Sequence, residues 1–304
     1  MSEFLNLKNS AFVGDIKDYI DEPAMEFDFE CDDFQKHSFL AIENGENVLV
    51  TAHTGSGKTV VALYAIAYHI KKGRRVVYNS PIKTLSNQKY NEFREYFEGE
   101  FAQKYNIYIT VGIMTGDNKI NPDANLVIMT TEILRNALYE INLEDENKKD
   151  LYFEDNFIES LGCVIFDEVH YINDRDRGHV WEESIVLLNR EVNLVMLSAT
   201  IDKSEDFASW IGNKKKKIIN LIPTTHRVIP LEHFLFVDGQ LFKIQNKEDA
   251  FFDTNFDRAK RKYDEIKKEK GEIKVINLLN DFVKHLHKKD LLQTICFDFS
   301  RKNC

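Results

Sequence analysis

Residues 52 to 59, Ala-His-Thr-Gly-Ser-Gly-Lys-Thr, stand between an apolar run, Asn47-Val48-Leu49-Val50-Thr51, and a helical stretch that opens Val60-Val61-Ala62-Leu63. A strand, a glycine turn and a helix in this order make a cradle for nucleotide phosphates. Gly55 and Gly57 let the backbone turn until its amides face an anion, and the helix N-terminus adds its partial positive charge. Thr54 and Ser56 belong to the same loop, Lys58 has the reach to meet β and γ phosphates, and the Thr59 hydroxyl is a ligand for Mg²⁺. Such cradles usually begin with glycine; here Ala52 holds that position, and a plain glycine turn is the competing reading.

A phosphate loop by itself names no reaction. Cys163-Val164-Ile165-Phe166 is a continuous apolar run, as expected of a strand buried on both faces of a parallel sheet, and it runs into Asp167-Glu168-Val169-His170. At the carboxyl end of that strand Asp167 is placed to share the cation held by Thr59. Glu168 is placed to orient or deprotonate a water attacking the γ phosphate. This pairing predicts hydrolysis rather than storage of nucleotide, although an acidic pair that merely caps a strand is common.

The chain has 304 residues and a net charge of -10, with pI near 5.5, which disfavours coating nucleic acid by bulk electrostatics. Contact with a nucleic acid would have to be local, inside a groove. Cys31, Cys163, Cys296 and Cys304 lack metal-ligand spacing, and Cys163 and Cys296 fall in expected buried strands, so a reducing compartment is predicted. With no leader pattern at Met1 and no apolar run of membrane length, the expectation is a soluble cytoplasmic or nuclear protein.

Residues 1 to 26 read as an acidic N-terminal extension. Between 27 and 236 short apolar runs alternate with helical stretches. Strands are expected at 47–52, 75–79, 107–113, 125–130, 163–167 and 194–198, and helices near 34–43, 58–72, 84–98, 131–139 and 181–188. That alternation predicts an α/β fold, a parallel sheet covered by helices on both faces. Residues 237–290 are charged and read as a helical connector, with Leu291 to Phe297 as a new buried strand. The lysine run 214–217 reads as a solvated loop.

Between the two phosphate motifs lie Ser80-Pro81-Ile82-Lys83-Thr84-Leu85-Ser86-Asn87-Gln88, Thr115-Gly116-Asp117 and Met129-Thr130-Thr131-Glu132-Ile133-Leu134. Ser198-Ala199-Thr200 follows, and Asp298-Phe299-Ser300-Arg301-Lys302 comes last. In this order the strings resemble superfamily 2 helicases, most nearly the Ski2-like branch and its exosome-associated RNA helicases, over roughly residues 27 to 304. The resemblance implies a RecA-like first domain over 27–236, the start of a second over 291–304, ATP and Mg²⁺ as cofactors, and movement 3′ to 5′ on single-stranded RNA.

It also implies roles residue by residue. Phe29 and Gln35 match the adenine site, through a stacking face and an amide that reads the base edge. Ser198 and Thr200 match the segment coupling nucleotide to strand through hydroxyls toward Asp167 and His170, and His170 would stand between the two sites. Pro81, Lys83, Gly116, Thr130 and Thr131 match contacts to the backbone of a single strand, with Arg135 one turn further on as added charge. Taken singly, the clusters around Pro81, Gly116 and Thr131 read more often as helix caps, and Arg135 reads equally as part of a solvated face.

The family's second domain supplies transition-state arginines, and no such motif follows Arg301 in this sequence. Loss of such a group costs about 10³ to 10⁵ in rate, so residues 1–304 alone are expected to hold nucleotide and hydrolyse it weakly. Three functions stay open: an RNA helicase or its N-terminal motor half, a nucleotide- or strand-binding or docking module, and a DNA helicase of the same branch. Partners in RNA decay are implied by resemblance only, and the oligomeric state is not legible.

Overall fold

Successive residues of the central strands point to opposite faces of one sheet, and both faces are apolar. The computed structural model describes residues 3–142, 157–199, 201–224, 230–248, 250–271 and 275–297. The chain divides into two units, Met1–His226 and Arg227–Cys304. In the first unit the strands are β1 (Leu5–Leu7), β2 (Asn47–Thr51), β3 (Arg75–Ser80), β4 (Val111–Met114), β5 (Lys119–Ile120), β6 (Leu126–Thr130), β7 (Leu161–Phe166), β8 (Asn193–Ser198) and β9 (Ile219–Pro223). They lie in the order β1-β9-β2-β8-β7-β3-β6-β4-β5. Each neighbouring pair is parallel except the short β4–β5 edge.

The helices are α1 (Asp33–Glu43), α2 (Lys58–Lys71), α3 (Lys83–Glu95), α4 (Ala102–Tyr105), α5 (Thr131–Asn142), α6 (Phe157–Ser160), α7 (Gly178–Leu187) and α8 (Ser204–Lys215). Val48, Val50, Tyr78, Ile128, Ile165 and Leu197 face the layer that contains Phe39, Tyr64 and Phe93. Their alternates Leu49, Val77, Val127, Val164, Phe166 and Met196 face the layer of Leu138, Trp181 and Ile211. Each fully buried large apolar side chain contributes about 1.5–3 kcal/mol, and a sheet buried on both faces accounts for the unbroken apolar runs of its strands. The RecA-like α/β expectation holds.

Several sequence expectations need correction. Residues 5–26 are built into the first unit: β1 pairs with β9, Ile20, Ala24 and Met25 are buried, and the Ala24 amide donates to Tyr64 Oη at 3.2 Å. The lysine run is not a solvated loop. Lys214 and Lys215 close α8, and buried Lys215 donates to the Val186 and Leu188 carbonyls at the end of α7. The first unit stops near residue 226 rather than 236.

In the second unit, the expected helical connector begins with a hairpin of β10 (His233–Val237) and β11 (Gln240–Gln245), joined at Asp238-Gly239 with φ of +49° and +73°. Helices α9 (Asp253–Lys270) and α10 (Val275–Lys288) follow. Residues 291–297 form no strand, and Leu291, Leu292, Ile295 and Phe297 are exposed. Among the described residues no strand pairs with this segment, and a strand exists only through its neighbour. Cys296 is therefore exposed, whereas Cys163 is buried as expected.

The connection from β7 to α7 is short and stiff. It holds a 3₁₀ turn, Val169–Asn173, whose preceding residue Glu168 adopts φ +51°. Asp174 Oδ1 then accepts from the amides of Asp176 and Arg177 at 3.0 and 2.9 Å. Gly178 enters α7 so close to the 3₁₀ turn that a Cβ there would lie 2.1 Å from the Ile172 carbonyl oxygen. Gly178→Ala is expected to lower stability by about 1–3 kcal/mol, through forced backbone displacement. Gly99→Ala, with nothing within 4 Å of the added carbon, is expected to be neutral or stabilising. Urea unfolding midpoints of the two variants check this.

Candidate functional site

Because β2, β8, β7, β3, β6 and β4 run parallel, their carboxyl ends and the loops that leave them share one edge of the sheet, where doubly wound folds hold ligands. At the end of β2 the chain turns through Gly55 (φ +83°) and Gly57 (φ +89°) before α2 begins at Lys58. Residues with a Cβ rarely adopt these angles, and successive amides in such a turn form an anion nest. The loop is internally braced: Ser56 Oγ donates to the His53 carbonyl at 2.7 Å. Lys58 Nζ donates to the carbonyls of Ala52 at 2.7 Å and His53 at 3.1 Å. Burial lowers the Lys58 pKa, and the charges of Glu168 and Asp167 oppose that shift. Thr54 and Gly55 are exposed, and Thr59 is half-buried.

Gln35 is buried, not the surface residue its type suggests. Its Oε1 accepts from the Asp32 amide at 2.8 Å, bracing the start of α1, and its Nε2 donates to the Gly57 carbonyl at 3.2 Å. A Cβ at Gly57 would stand 2.8 Å from that same Nε2. The amide thus locks the loop to α1. Phe29 is about half exposed, and with Phe27, Cys31, Lys36, Phe39 and Tyr64 it lines a cavity of about 420 Å³ beneath the N-terminal segment.

The acidic loop leaves β7 two strands from β2, beyond β8. Asp167 is held by both oxygens: Oδ2 accepts from Tyr78 Oη at 2.6 Å, and Oδ1 from the Glu168 amide at 3.0 Å. Burial and the neighbouring carboxylate drive the Tyr78 pKa well up, which keeps it a donor. Glu168 has a raised pKa, chiefly from burial and then from Asp167. Its Oε2 lies 3.3 Å from His170 Nδ1, within ion-pair range, although the angle does not make a hydrogen bond. Ser198, at the end of β8, pairs in register with Thr51, and its carbonyl accepts from the Ala52 amide at 3.0 Å. Its buried hydroxyl has no partner and does not reach Asp167 or His170. Thr200 lies outside the described residues.

The remaining positions gather at the ends of β3, β4 and β6. Lys83, first in α3, pairs with Asp117 at 2.7 Å beside Gly116. Thr131 opens α5, but its buried hydroxyl donates to Asn79 Oδ1 at 2.8 Å, leaving its amide rather than its side chain for any anion. Thr130 is buried. Arg135 turns toward Asn136 and Glu183. Pro81 is buried, and its carbonyl accepts from Arg177. Tyr78, Asn79 and Arg177 were not singled out in the sequence. Polar side chains at the end of an apolar strand were the available signal, because a buried polar group implies a partner.

The cradle fits a nucleoside triphosphate with its divalent cation: two positive-φ glycines, a buried ammonium, and the hard oxygen donors Thr59 and Asp167. Among the described residues no cluster of three or more His, Cys, Asp or Glu could hold a metal. Such a cation would rely on phosphate oxygens as well.

Comparison with known proteins points the same way. The DEAD/DEAH box helicase family model matches residues 32–207. The DExH-box ATP-dependent RNA helicase DExH11 of Arabidopsis thaliana is 46% identical over 245 residues, 78% of this chain and 16% of that protein. The antiviral helicase SKI2 of Saccharomyces cerevisiae is 42% identical over 82% of this chain and 18% of its own length. The human exosome RNA helicase MTR4 is 38% identical over 95% and 26%. Among solved structures, Mycobacterium smegmatis helicase Lhr bound to ssDNA and AMP-PNP superposes with TM-score 0.50 at 27% identity, over 63% of this chain and 25% of that one. This chain thus spans between about a sixth and a quarter of the length of these relatives. It belongs to the DEAD/DEAH box helicase family.

Proposed function

We propose that this chain is the nucleotide-driven motor half of an RNA helicase that moves 3′ to 5′ on single-stranded RNA with ATP and Mg²⁺. The observation that carries the reading is a bonded path. Asp167 donates its amide to the Asn79 carbonyl at 2.9 Å, and Asn79 accepts the Thr131 hydroxyl at 2.8 Å. The acidic loop and the start of α5 therefore meet at one residue. A change at the nucleotide has a direct route to a loop suited to holding phosphodiester.

In this reading the amides of residues 55–59 and Lys58 bind the β and γ phosphates, while Gln35 and Phe29 hold the adenine. Thr59 and Asp167 would hold Mg²⁺, which when bound neutralises charge on the phosphate oxygens. Glu168 accepts the proton of the attacking water, and its raised pKa suits a base at neutral pH. His170, against Glu168, steadies that carboxylate. The helix starts after Pro81 and at Thr131, with Lys83, Gly116 and Arg135, bind backbone phosphates without reading bases. Ser198 lies against the phosphate loop, its carbonyl accepting from the Ala52 amide.

The RNA assignment follows relatives whose names state RNA helicase activity, and the exosome in the name of MTR4 suggests RNA-decay partners. Among the described residues no helix is long and apolar enough to cross a membrane. A DNA helicase of the same branch is the second reading, favoured by the ssDNA held in the Lhr structure. Matched RNA and DNA overhangs at one salt concentration separate the two, since the 2′ hydroxyl is the main chemical difference.

In the full-length protein, RNA-stimulated ATP hydrolysis is expected to fall about 10²–10⁴-fold in Glu168→Gln, the usual scale for a lost general base. Lys58→Ala is expected to abolish nucleotide binding measured by calorimetry. Unchanged rates in both variants refute the assignment. Tyr78→Phe keeps the ring and removes the donor to Asp167. It is expected to raise the half-saturating Mg²⁺ concentration about 10–100-fold, as loss of an outer-shell partner does, with little change in melting temperature. A Mg²⁺ titration of the ATPase rate checks it.

A further inference from the structure

Arg177 lies ten positions beyond Asp167 and has no role in the site so far, yet its guanidinium joins segments that are distant in sequence. Nη2 donates to the Pro81 carbonyl at 2.7 Å, and Nε and Nη2 both donate to Glu132 Oε1, the former at 2.9 Å. The fork rests over the Trp181 ring, 5.5 Å from its centroid, and that ring is fully buried. Pro81 precedes Ile82, the N-cap of α3, and Glu132 is the second residue of α5. The arginine therefore sets the spacing of the two helix starts that the proposed function assigns to backbone phosphates.

Its other end is anchored to the acidic loop. The Arg177 amide donates to Asp174 Oδ1, and Gly178 is wedged against the Ile172 carbonyl, so little slack separates Glu168 from the guanidinium. A planar fork that meets two acceptors in fixed directions transmits orientation; a lysine ammonium offers a point charge on a flexible stem. The geometry points to Arg177 as a positioning residue that holds the two strand-binding loops in register with each other and with Glu168, so that a bound single strand is sensed at the hydrolytic water. This rests on the helicase reading.

The test uses full-length protein, oligouridine RNA, and the variants Arg177→Gln, Arg177→Lys and Glu132→Gln. Wild type must first show RNA-stimulated ATPase; if it does not, the helicase reading itself fails and this inference falls with it. Given stimulation, Arg177→Gln is expected to raise the half-activating RNA concentration at least tenfold, while RNA-free ATPase and the KM for ATP stay within twofold of wild type. Arg177→Lys should restore less than half of the lost stimulation. The double variant Arg177→Gln/Glu132→Gln should be no worse than Arg177→Gln alone, because both remove one bridge. The dependence of log RNA affinity on log salt should keep its wild-type slope, whereas loss of a direct phosphate contact lowers it by about 1. A lowered slope, an unchanged activation constant, or an equal fall in RNA-free and RNA-stimulated rates overturns the inference. If Arg177→Gln does not fold, Glu132→Gln and Arg177→Lys carry the same comparison, and wild-type activation constants in both overturn it.

Discussion

Everything functional in the first unit depends on one constraint: consecutive strands that all point the same way must deliver their loops to the same edge. The glycine loop proposed to cradle nucleotide leaves β2, the acidic pair leaves β7, and the loops proposed to contact a single strand leave β3, β4 and β6. Antiparallel pairing would scatter these loops to opposite edges. The double-sided apolar core holds the strands in this register, with Val50 and Leu197 facing one helical layer and Leu49 and Met196 the other. The geometry of this edge is a by-product of sheet direction, and the core makes it rigid.

On that edge the polar groups are arranged as chains rather than as isolated contacts. Gln35 ties α1 to Gly57, Ser56 and Lys58 brace the loop on its own carbonyls, and Tyr78 fixes Asp167. Asn79 serves two neighbours at once, taking the Asp167 amide on its carbonyl and the Thr131 hydroxyl on its side chain. Its own Nδ2, like Ser198 Oγ, is buried without a partner. An unsatisfied buried group costs roughly 1–3 kcal/mol.

The elements legible in the sequence were those whose signal is local. The strand, glycine loop and helix over 47–71 need only neighbours in the chain, as do the five other apolar runs of the central sheet. β1 and β9 carry no local signal, because three and five residues of mixed character become strands only by pairing with each other and with β2. The hairpin at Asp238-Gly239 carried a turn signal, but the surrounding charge favoured a helical reading. Leu291 to Phe297 show the opposite case: among the described residues they take no strand form, since apolar content alone does not supply a partner strand. In the site, Lys58, Thr59, Asp167 and Glu168 were readable from spacing. Tyr78, Asn79 and Arg177 were not, because their partners lie 89, 52 and 96 residues away.

The central claim is that a triphosphate lies on the amides of residues 55–59 with its cation between Thr59 and Asp167. A crystal structure of the full-length protein grown with a non-hydrolysable ATP analogue and Mg²⁺ measures this directly. The account predicts β and γ phosphates against that loop, Lys58 drawn from the Ala52 carbonyl toward them, and the metal ligated by Thr59 Oγ1 and reached by Asp167 directly or through water. An analogue bound in another pocket, or one seated at the loop with its metal distant from Asp167, would contradict it.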